Sequence, residues 1–212
     1  HPQMICGHET EGSKRLWHGM TREDIVSDIS TNSRTYASQN RPSEGYVYGI
    51  ESEPKVDVKV LADKIWNPAM LLLSARIPVL REVVGAPVAL VHCLRNPFDV
   101  IATMHRRSGA PLADRARFYF MHCDAAQMLY DRGHAITEIR SCALIANPRE
   151  EARRVFEFLD CTTDDAHLDR IAQVVHSESN QSRHLVEWPQ DLIAQIERRT
   201  KYYSFLEGYG FA

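Results

Sequence analysis

Short apolar runs alternate with longer segments of helical periodicity along this chain. The apolar runs predict β-strands at residues 3–6, 56–61, 87–94 and 135–139. The helical periodicity predicts helices at residues 22–36, 68–84, 97–107, 112–132, 148–159 and 189–203. Strands that alternate with helices of this length are typical of βαβ units. We therefore expect one α/β domain over residues 1–212, with three layers and a mainly parallel sheet.

The clearest strand and helix signals are neighbours in the sequence. Residues 87–94 (PVALVHCL) are almost continuously apolar, which predicts a central strand covered on both faces. Asn96 and Pro97 then form a strong helix start, since Asn is a preferred N-cap and Pro suits the first helical position. Asp99 falls in the first turn, where free amides and the helix dipole favour an acid. The polar segments 33–54 and 177–187 are predicted to be mostly loop.

Composition narrows the functional classes. The chain has a net charge of −3, which argues against a broad nucleic-acid surface but allows one small anionic ligand. No apolar run approaches the roughly 18–20 residues of a membrane helix, and no signal peptide is recognisable, so we expect no membrane span and a cytoplasmic location. The five cysteines lack a CxxC pair and are predicted to be reduced, buried thiols.

Residues 95–103 (RNPFDVIAT) carry the most informative chemistry. Arg95 follows the carboxyl end of the predicted strand, where open α/β sheets bind ligands. The amino terminus of the next helix favours an anion, and Arg95 adds a forked cation. Thr103, about two turns into the helix, offers a hydroxyl to the same anion. From the residues alone, a plain strand-to-helix turn in which Arg95 pairs with a carboxylate is an equally weighted alternative.

This segment resembles the 3′-phosphate motif of sulfotransferases that use 3′-phosphoadenosine-5′-phosphosulfate (PAPS). In that family an Arg and a Ser eight residues later hold the 3′-phosphate, and Thr103 stands at the position of the Ser. Residues 182–188 (SRHLVEW) resemble the late loop that closes over the nucleotide. The resemblance implies that Arg95, Thr103, Ser182 and Arg183 bind PAPS as donor and 3′-phosphoadenosine-5′-phosphate (PAP) as product.

Two further segments resemble the catalytic parts of this family. Residues 1–9 (HPQMICGHE) resemble the stretch that ends in the catalytic base of tyrosylprotein sulfotransferases, which implies that Glu9 is the base and leaves His8 as the alternative. Residues 61–64 (LADK) resemble the Gly-Asp-Lys segment of the family. The resemblance therefore places Lys64 near the reacting groups. A surface or capping role for Glu9, and pairing of Lys64 with the adjacent acid, are the plainer alternatives.

The resemblance covers nearly the whole chain, with weaker likenesses at 145–148, 156–159 and 205–211. It implies a P-loop NTPase-like sulfotransferase fold, a hydroxyl-bearing acceptor and no metal. A tyrosyl peptide, a glycan, a lipid and a small molecule all stay open as acceptors, as does a homodimer. The family opens with a strand and a Pro-Arg-Ser-Gly-Thr-Thr loop that holds the 5′-phosphosulfate. No such loop occurs in the 212 residues, so we expect an amino-terminally incomplete domain.

Two other functions remain open from the sequence. A nucleotide or small-molecule kinase shares this sheet architecture, but its Gly-rich loop ending in Lys and Ser or Thr does not occur in these residues. A non-catalytic protein that binds 3′-phosphoadenosine nucleotides would keep Arg95 and Thr103 without needing Glu9. The upstream sequence and a transfer assay discriminate among the three.

Overall fold

The structure, a computed structural model, describes residues 1–10, 19–39, 54–65 and 69–211, together with the backbone of residues 42–43 and 46–47. The chain divides into two compact units. Unit 1 comprises His1–Ala89 and Pro148–Val175, and unit 2 comprises Leu90–Asn147 and His176–Ala212. The single-domain assignment stays a prediction. Among the described helices, none combines the length and the apolar character that crossing a membrane requires.

Unit 1 contains a parallel strand pair. Strand β1 (Met4–Gly7) pairs with β4 (Val60–Asp63), with Met4 opposite Val60 and Gly7 opposite Asp63. Two short strands, β2 (Pro42–Ser43) and β3 (Tyr46–Val47), form an antiparallel pair. They lie between β1 and β4 in the sequence. Because β1 and β4 run in the same direction and in this register, their carboxyl ends meet at one edge.

The helices of unit 1 cover this pair. They are α1 (Arg22–Ser38), a 3₁₀ helix (Ala69–Leu72) that leads into α2 (Leu73–Val84), α6 (Pro148–Phe158) and α7 (Asp165–Val174). Helix α1 begins at a capping box in which Thr21 and Asp24 bond each other's backbone amides at 3.2 and 2.8 Å. Its buried face, Ile25 and Ile29, packs against Ile5 of β1. The cover thus comes from both sequence segments of the unit.

Unit 2 is built around a second parallel pair, β5 (Leu90–Leu94) and β6 (Ile136–Arg140), with Leu94 opposite Arg140 at the end. Helices α3 (Pro97–Ser108) and α4 (Leu112–Asp131) connect the two strands. The remaining elements are α5 (Ser141–Ala146), a 3₁₀ helix (Ser182–Leu185), α8 (Gln190–Thr200) and a 3₁₀ helix (Ser204–Leu206).

Helix α3 starts as its sequence predicts. The side chain of Asn96 accepts a hydrogen bond from the amide of Phe98 at 2.9 Å, and Pro97 occupies the first turn. Phe98, Ile101 and Ala102 are 0% exposed, so this helix is anchored in the core of unit 2. The strand end and the helix start are therefore held in fixed positions.

All four predicted strands and all six predicted helices occur, and the α/β character with parallel strand pairs is confirmed. The second strand begins only at Val60, and the two valines before it, Val56 and Val58, are 63% and 41% exposed. The expected burial of residues 87–94 on both faces is wrong. Burial alternates along β5, with Val91 37% exposed and Leu94 5% exposed, as in a strand covered on one face.

The predicted loops also need correction. Residues 33–36, where the predicted helix 22–36 and the predicted loop 33–54 overlap, are helical, and helix α1 continues through Ser38. This stretch contains no Gly or Pro to end the helix. Residues 40–41, 44–45 and 48–53 of the same predicted loop lie outside the described residues. Helices α5 and α7 were not predicted, and the late segment 177–187 contains the 3₁₀ helix Ser182–Leu185.

Candidate functional site

The four residues expected to bind an anion come together in unit 2. Arg95 directly follows β5, Thr103 lies in α3, and Ser182 and Arg183 open the 3₁₀ helix that packs on α3. The hydroxyl oxygens of Thr103 and Ser182 are 3.0 Å apart. The guanidinium of Arg95 donates to the backbone carbonyl of Asn180, and the Ser182 hydroxyl donates to Asn180 Oδ1 at 3.0 Å. Two distant sequence segments thus form one polar cluster.

Arg183 is held by a carboxylate that the sequence assigned only to the helix start. Asp99, 1% exposed, accepts from Arg183 Nη1 at 2.8 Å and from the Arg183 backbone amide at 2.9 Å. The backbone carbonyl of Asp99 accepts from the Thr103 hydroxyl at 2.7 Å. Asp99 therefore joins α3 to the late 3₁₀ helix. The sequence does not reveal this role, because an acid in the first turn of a helix is also expected where it only stabilises the helix terminus.

The end of the chain reinforces the same cluster. Phe211 packs edge-on against Phe98 and Trp188, with ring centroids 5.1 and 6.1 Å apart, and its carbonyl accepts from Arg183 Nε at 3.0 Å. The Asn96 side chain donates to the carbonyl of Gly210 at 2.8 Å. The indole of Trp188 donates to the Arg183 carbonyl at 2.9 Å. These contacts fix the backbone and the guanidinium of Arg183.

A second polar cluster lies in unit 1, at the carboxyl edge of β1 and β4. Lys64 Nζ lies 2.7 Å from Glu9 Oε1, and the two side chains are 52% and 30% exposed. Asp63 is engaged by Thr10, whose hydroxyl and amide donate to its two carboxylate oxygens at 2.6 and 3.1 Å. The predicted catalytic residues are thus an ion pair, and the acid beside Lys64 has a different partner.

The backbone of Glu9 is in an uncommon conformation. Its φ is 54°, in the left-handed region that a non-glycine residue adopts only at a cost of roughly 1 kcal/mol or more. The preceding residue is held on both sides, since the side chain of Asn32 bonds the His8 amide at 2.7 Å and the His8 carbonyl at 3.3 Å. The His8 ring stacks on Tyr36 at 4.3 Å, and its Nε2 lies 3.8 Å from the Glu9 carboxylate. In this conformation the Glu9 carboxylate contacts Lys64.

Behind the carboxyl edge of β5 and β6 lies a polar network that sequence analysis did not predict. His92 Nδ1 and the Tyr130 hydroxyl are 2.9 Å apart, and that hydroxyl donates to Glu138 at 3.1 Å. Arg140 lies 3.6 Å from Glu138 and donates to the carbonyl of Phe205 at 3.1 Å. Burial lowers the pKa of His92, while burial and the neighbouring carboxylate raise the pKa of Tyr130. Ladder partners such as His92 and Glu138 become visible only once the strands are paired.

Unit 2 also contains an open cleft of about 540 Å³. It lies between the end of α3, the start of α4 and the segment that follows the late 3₁₀ helix. His105 and Arg106 form its polar wall, and Leu112 and Leu192 belong to its apolar wall. His105 Nδ1 lies 2.7 Å from the carbonyl of Ala110, so this nitrogen carries the proton. No residue of the Arg95 cluster lines this cleft.

The described part of the chain contains neither a metal-ligand cluster nor a disulfide. Within it, no cluster of three or more His, Cys, Asp or Glu side chains is arranged to hold a metal ion. No disulfide joins the five cysteines, all of which are described. Cys123 and Cys161 are buried as predicted, and burial raises the pKa of Cys123 to about 12. The prediction of burial is wrong for the other cysteines, which are exposed: Cys6, Cys93 and Cys142.

A comparison with protein-family models finds no match for this sequence, and a search of curated proteins finds no significant similarity.

Proposed function

We propose that the chain is a sulfotransferase domain that moves a sulfuryl group from PAPS to an acceptor hydroxyl and leaves PAP. The observation that carries this proposal is the meeting of Arg95 and Thr103 with Ser182 and Arg183. The sequence resemblance assigns both segments to one 3′-phosphate. Their hydroxyl groups are neighbours although they are separated by 79 positions in the sequence. Such a meeting is expected if both segments serve one ligand.

The chemistry of this cluster suits a phosphate. The amino terminus of α3 favours an anion, and the cluster adds two guanidinium groups and two hydroxyl donors. The Asp99 carboxylate offsets one of the two positive charges, so a cluster of Arg95, Arg183 and Asp99 has a net charge of about +1 at neutral pH. One excess positive charge attracts a phosphate without needing a broad basic surface. This agrees with the slightly acidic chain, whose net charge is −3.

The Glu9–Lys64 pair has the groups that sulfuryl transfer requires. In the proposed reaction the acceptor oxygen forms a bond to sulfur while the bond from sulfur to the phosphate oxygen of PAP breaks. The carboxylate of Glu9 takes the proton of the acceptor hydroxyl, a role typically worth about 10²–10⁴ in rate. The ammonium of Lys64 stabilises the negative charge of the transferring or leaving oxygens. The protein otherwise acts by positioning, as in phosphoryl transfer.

The finer parts of the proposal follow from the resemblance. We infer the three-layer, P-loop NTPase-like sulfotransferase fold with a mainly parallel sheet. We also expect a cytoplasmic protein that needs no metal. The acceptor class stays open among tyrosyl peptides, glycans, lipids and small molecules.

Calorimetry and a transfer assay on the full-length polypeptide test the proposal. PAP is expected to bind at least about tenfold more tightly than AMP, because a hydrogen bond to a charged group is worth about 1.5–3 kcal/mol. Labelled PAPS is expected to yield a labelled acceptor in a panel of hydroxyl compounds and peptides. Equal affinity for PAP and AMP contradicts the assignment of the Arg95 cluster. Selective PAP binding without transfer to any acceptor supports the non-catalytic binding protein instead.

A further inference from the structure

Asn180 already accepts hydrogen bonds from two donors of the candidate anion cluster. Its backbone carbonyl accepts from the Arg95 guanidinium, and its side-chain Oδ1 accepts from the Ser182 hydroxyl at 3.0 Å. A phosphate in this cluster would accept hydrogen bonds from the same two groups. The two oxygens of Asn180 therefore stand where two oxygens of a bound oxyanion would be expected.

The burial of Ser182 explains why such a partner is present. Ser182 is only 1% exposed, and a buried hydroxyl that lacks a hydrogen bond is costly. Asn180 itself is exposed, and it belongs to residues 176–181, which are all exposed and form no helix or strand. Because Asn180 lies on an exposed segment, it can satisfy the donors of Arg95 and Ser182 and can still move away from them when a ligand binds. Moving it breaks no regular element.

We propose that Asn180 is an internal competitor that a bound oxyanion displaces from Arg95 and Ser182. This inference rests on the proposed function, in which the oxyanion is the 3′-phosphate. The exchange is favourable because Asn180 offers only neutral oxygens. A phosphate oxygen is charged, so its bond to Ser182 becomes charge-assisted and its bond to the Arg95 guanidinium gains an attraction between opposite charges. Asn180 thereby sets the threshold for binding: a weakly charged or neutral ligand cannot replace it.

A purely structural role for Asn180 predicts the opposite ranking of two variants. If the side chain only stabilises the turn before the 3₁₀ helix, Asn180→Asp is tolerated, because a carboxylate also accepts from Ser182. Asn180→Ala would then loosen the turn and weaken ligand binding. In the competitor role, Asn180→Ala removes one competing oxygen, and Asn180→Asp places a negative charge beside Arg95 and the incoming phosphate.

The test is titration calorimetry of the full-length protein with PAP and with AMP. We expect Asn180→Ala to bind PAP about two- to fivefold more tightly, since one neutral hydrogen bond no longer competes. Asn180→Asp is expected to bind PAP at least about tenfold more weakly through like-charge repulsion, an effect that shrinks in 0.5 M salt. Gln181→Glu is the matched control. It adds the same charge at the next exposed position, where the side chain makes no capping bond, and is expected to stay near wild type.

The outcomes separate the inference from the proposed function. A wild-type protein that binds PAP and AMP equally defeats the proposed function and this inference with it. A wild-type preference for PAP, combined with any ranking other than Ala tighter than wild type and Asp weaker, overturns the inference alone. A loss in Gln181→Glu as large as that in Asn180→Asp also overturns it, because the effect would then be a general charge effect.

Discussion

Replacing Arg183 with alanine would leave the carboxylate of Asp99 buried without its cation. Both side chains of the ion pair are buried or nearly so: the side chain of Arg183 is 12% exposed and that of Asp99 is 2% exposed. The substitution removes the Nη1–Oδ2 contact of 2.8 Å and the bond from Nε to the Phe211 carbonyl. The bond from the backbone amide of residue 183 to Asp99 Oδ1 at 2.9 Å remains.

The cost follows from this accounting of contacts. Removing one partner of a buried ion pair typically costs about 3–5 kcal/mol. The surviving backbone hydrogen bond places Arg183→Ala at the lower end, at about 3 kcal/mol. Since a typical domain has a free energy of unfolding of about 5–15 kcal/mol, the variant loses a large share of its stability. With a urea m-value of about 1–3 kcal/mol per molar, the unfolding midpoint falls by about 1–3 M.

Urea unfolding, followed by circular dichroism, measures this loss. Arg106→Ala is the matched control, because Arg106 is an exposed arginine on the same helix α3 and is expected to change stability by less than about 0.5 kcal/mol. Adding Asp99→Asn to Arg183→Ala should recover part of the loss, since the buried charge is then gone. A loss of no more than about 1 kcal/mol in Arg183→Ala would contradict the stabilising role of the buried ion pair. Additivity of the two substitutions within about 0.5 kcal/mol would contradict their coupling.

Other substitutions and conditions test separate parts of the structure. Glu9→Gln should reduce turnover on an accepted substrate by about 10²-fold or more, because an amide cannot take the acceptor proton. Its affinity for PAP should stay unchanged. A turnover near that of the wild type would make His8 the next candidate base. Stability should fall as the pH drops below 6.5, because burial lowers the pKa of folded His92 from 6.5 and the unfolded chain then takes up a proton first. The stabilisation that neutral His92 provides is fully present above pH 6.5, and below it the free energy of unfolding falls by at most about 1.4 kcal/mol per pH unit. This pH dependence should vanish in His92→Gln. An equal dependence of stability on pH in wild type and variant argues against the role of His92. In thiol labelling with a disulfide reagent, exposed Cys142 should react at once and buried Cys123 only upon unfolding, and rapid reaction of Cys123 in the native protein would contradict its burial.

Local signals in the sequence determined the elements and part of the site. The start of α3 at Asn96 and Pro97 was predictable, because capping and the fixed φ of proline act within a few residues. The position of Arg95 after a strand and of Thr103 two turns into a helix followed from the same local pattern. The order of strands and helices was likewise predictable, since the spacing of apolar residues indicates which side chains are favourably buried in a strand or a helix.

Tertiary structure alone decided which side chains meet. The pairing of Asp99 with Arg183 joins positions separated by 84 residues, and no local pattern distinguishes this acid from an ordinary helix terminus. The contact of Lys64 with Glu9 arises only because β1 and β4 pair in parallel and in register at their carboxyl ends. The exposure of Val91 depends on which face of β5 has neighbours, whereas an apolar run shows only that burial is favourable. Long-range contacts of this kind depend on how the whole chain folds. The sequence between two contacting residues does not indicate that they will meet.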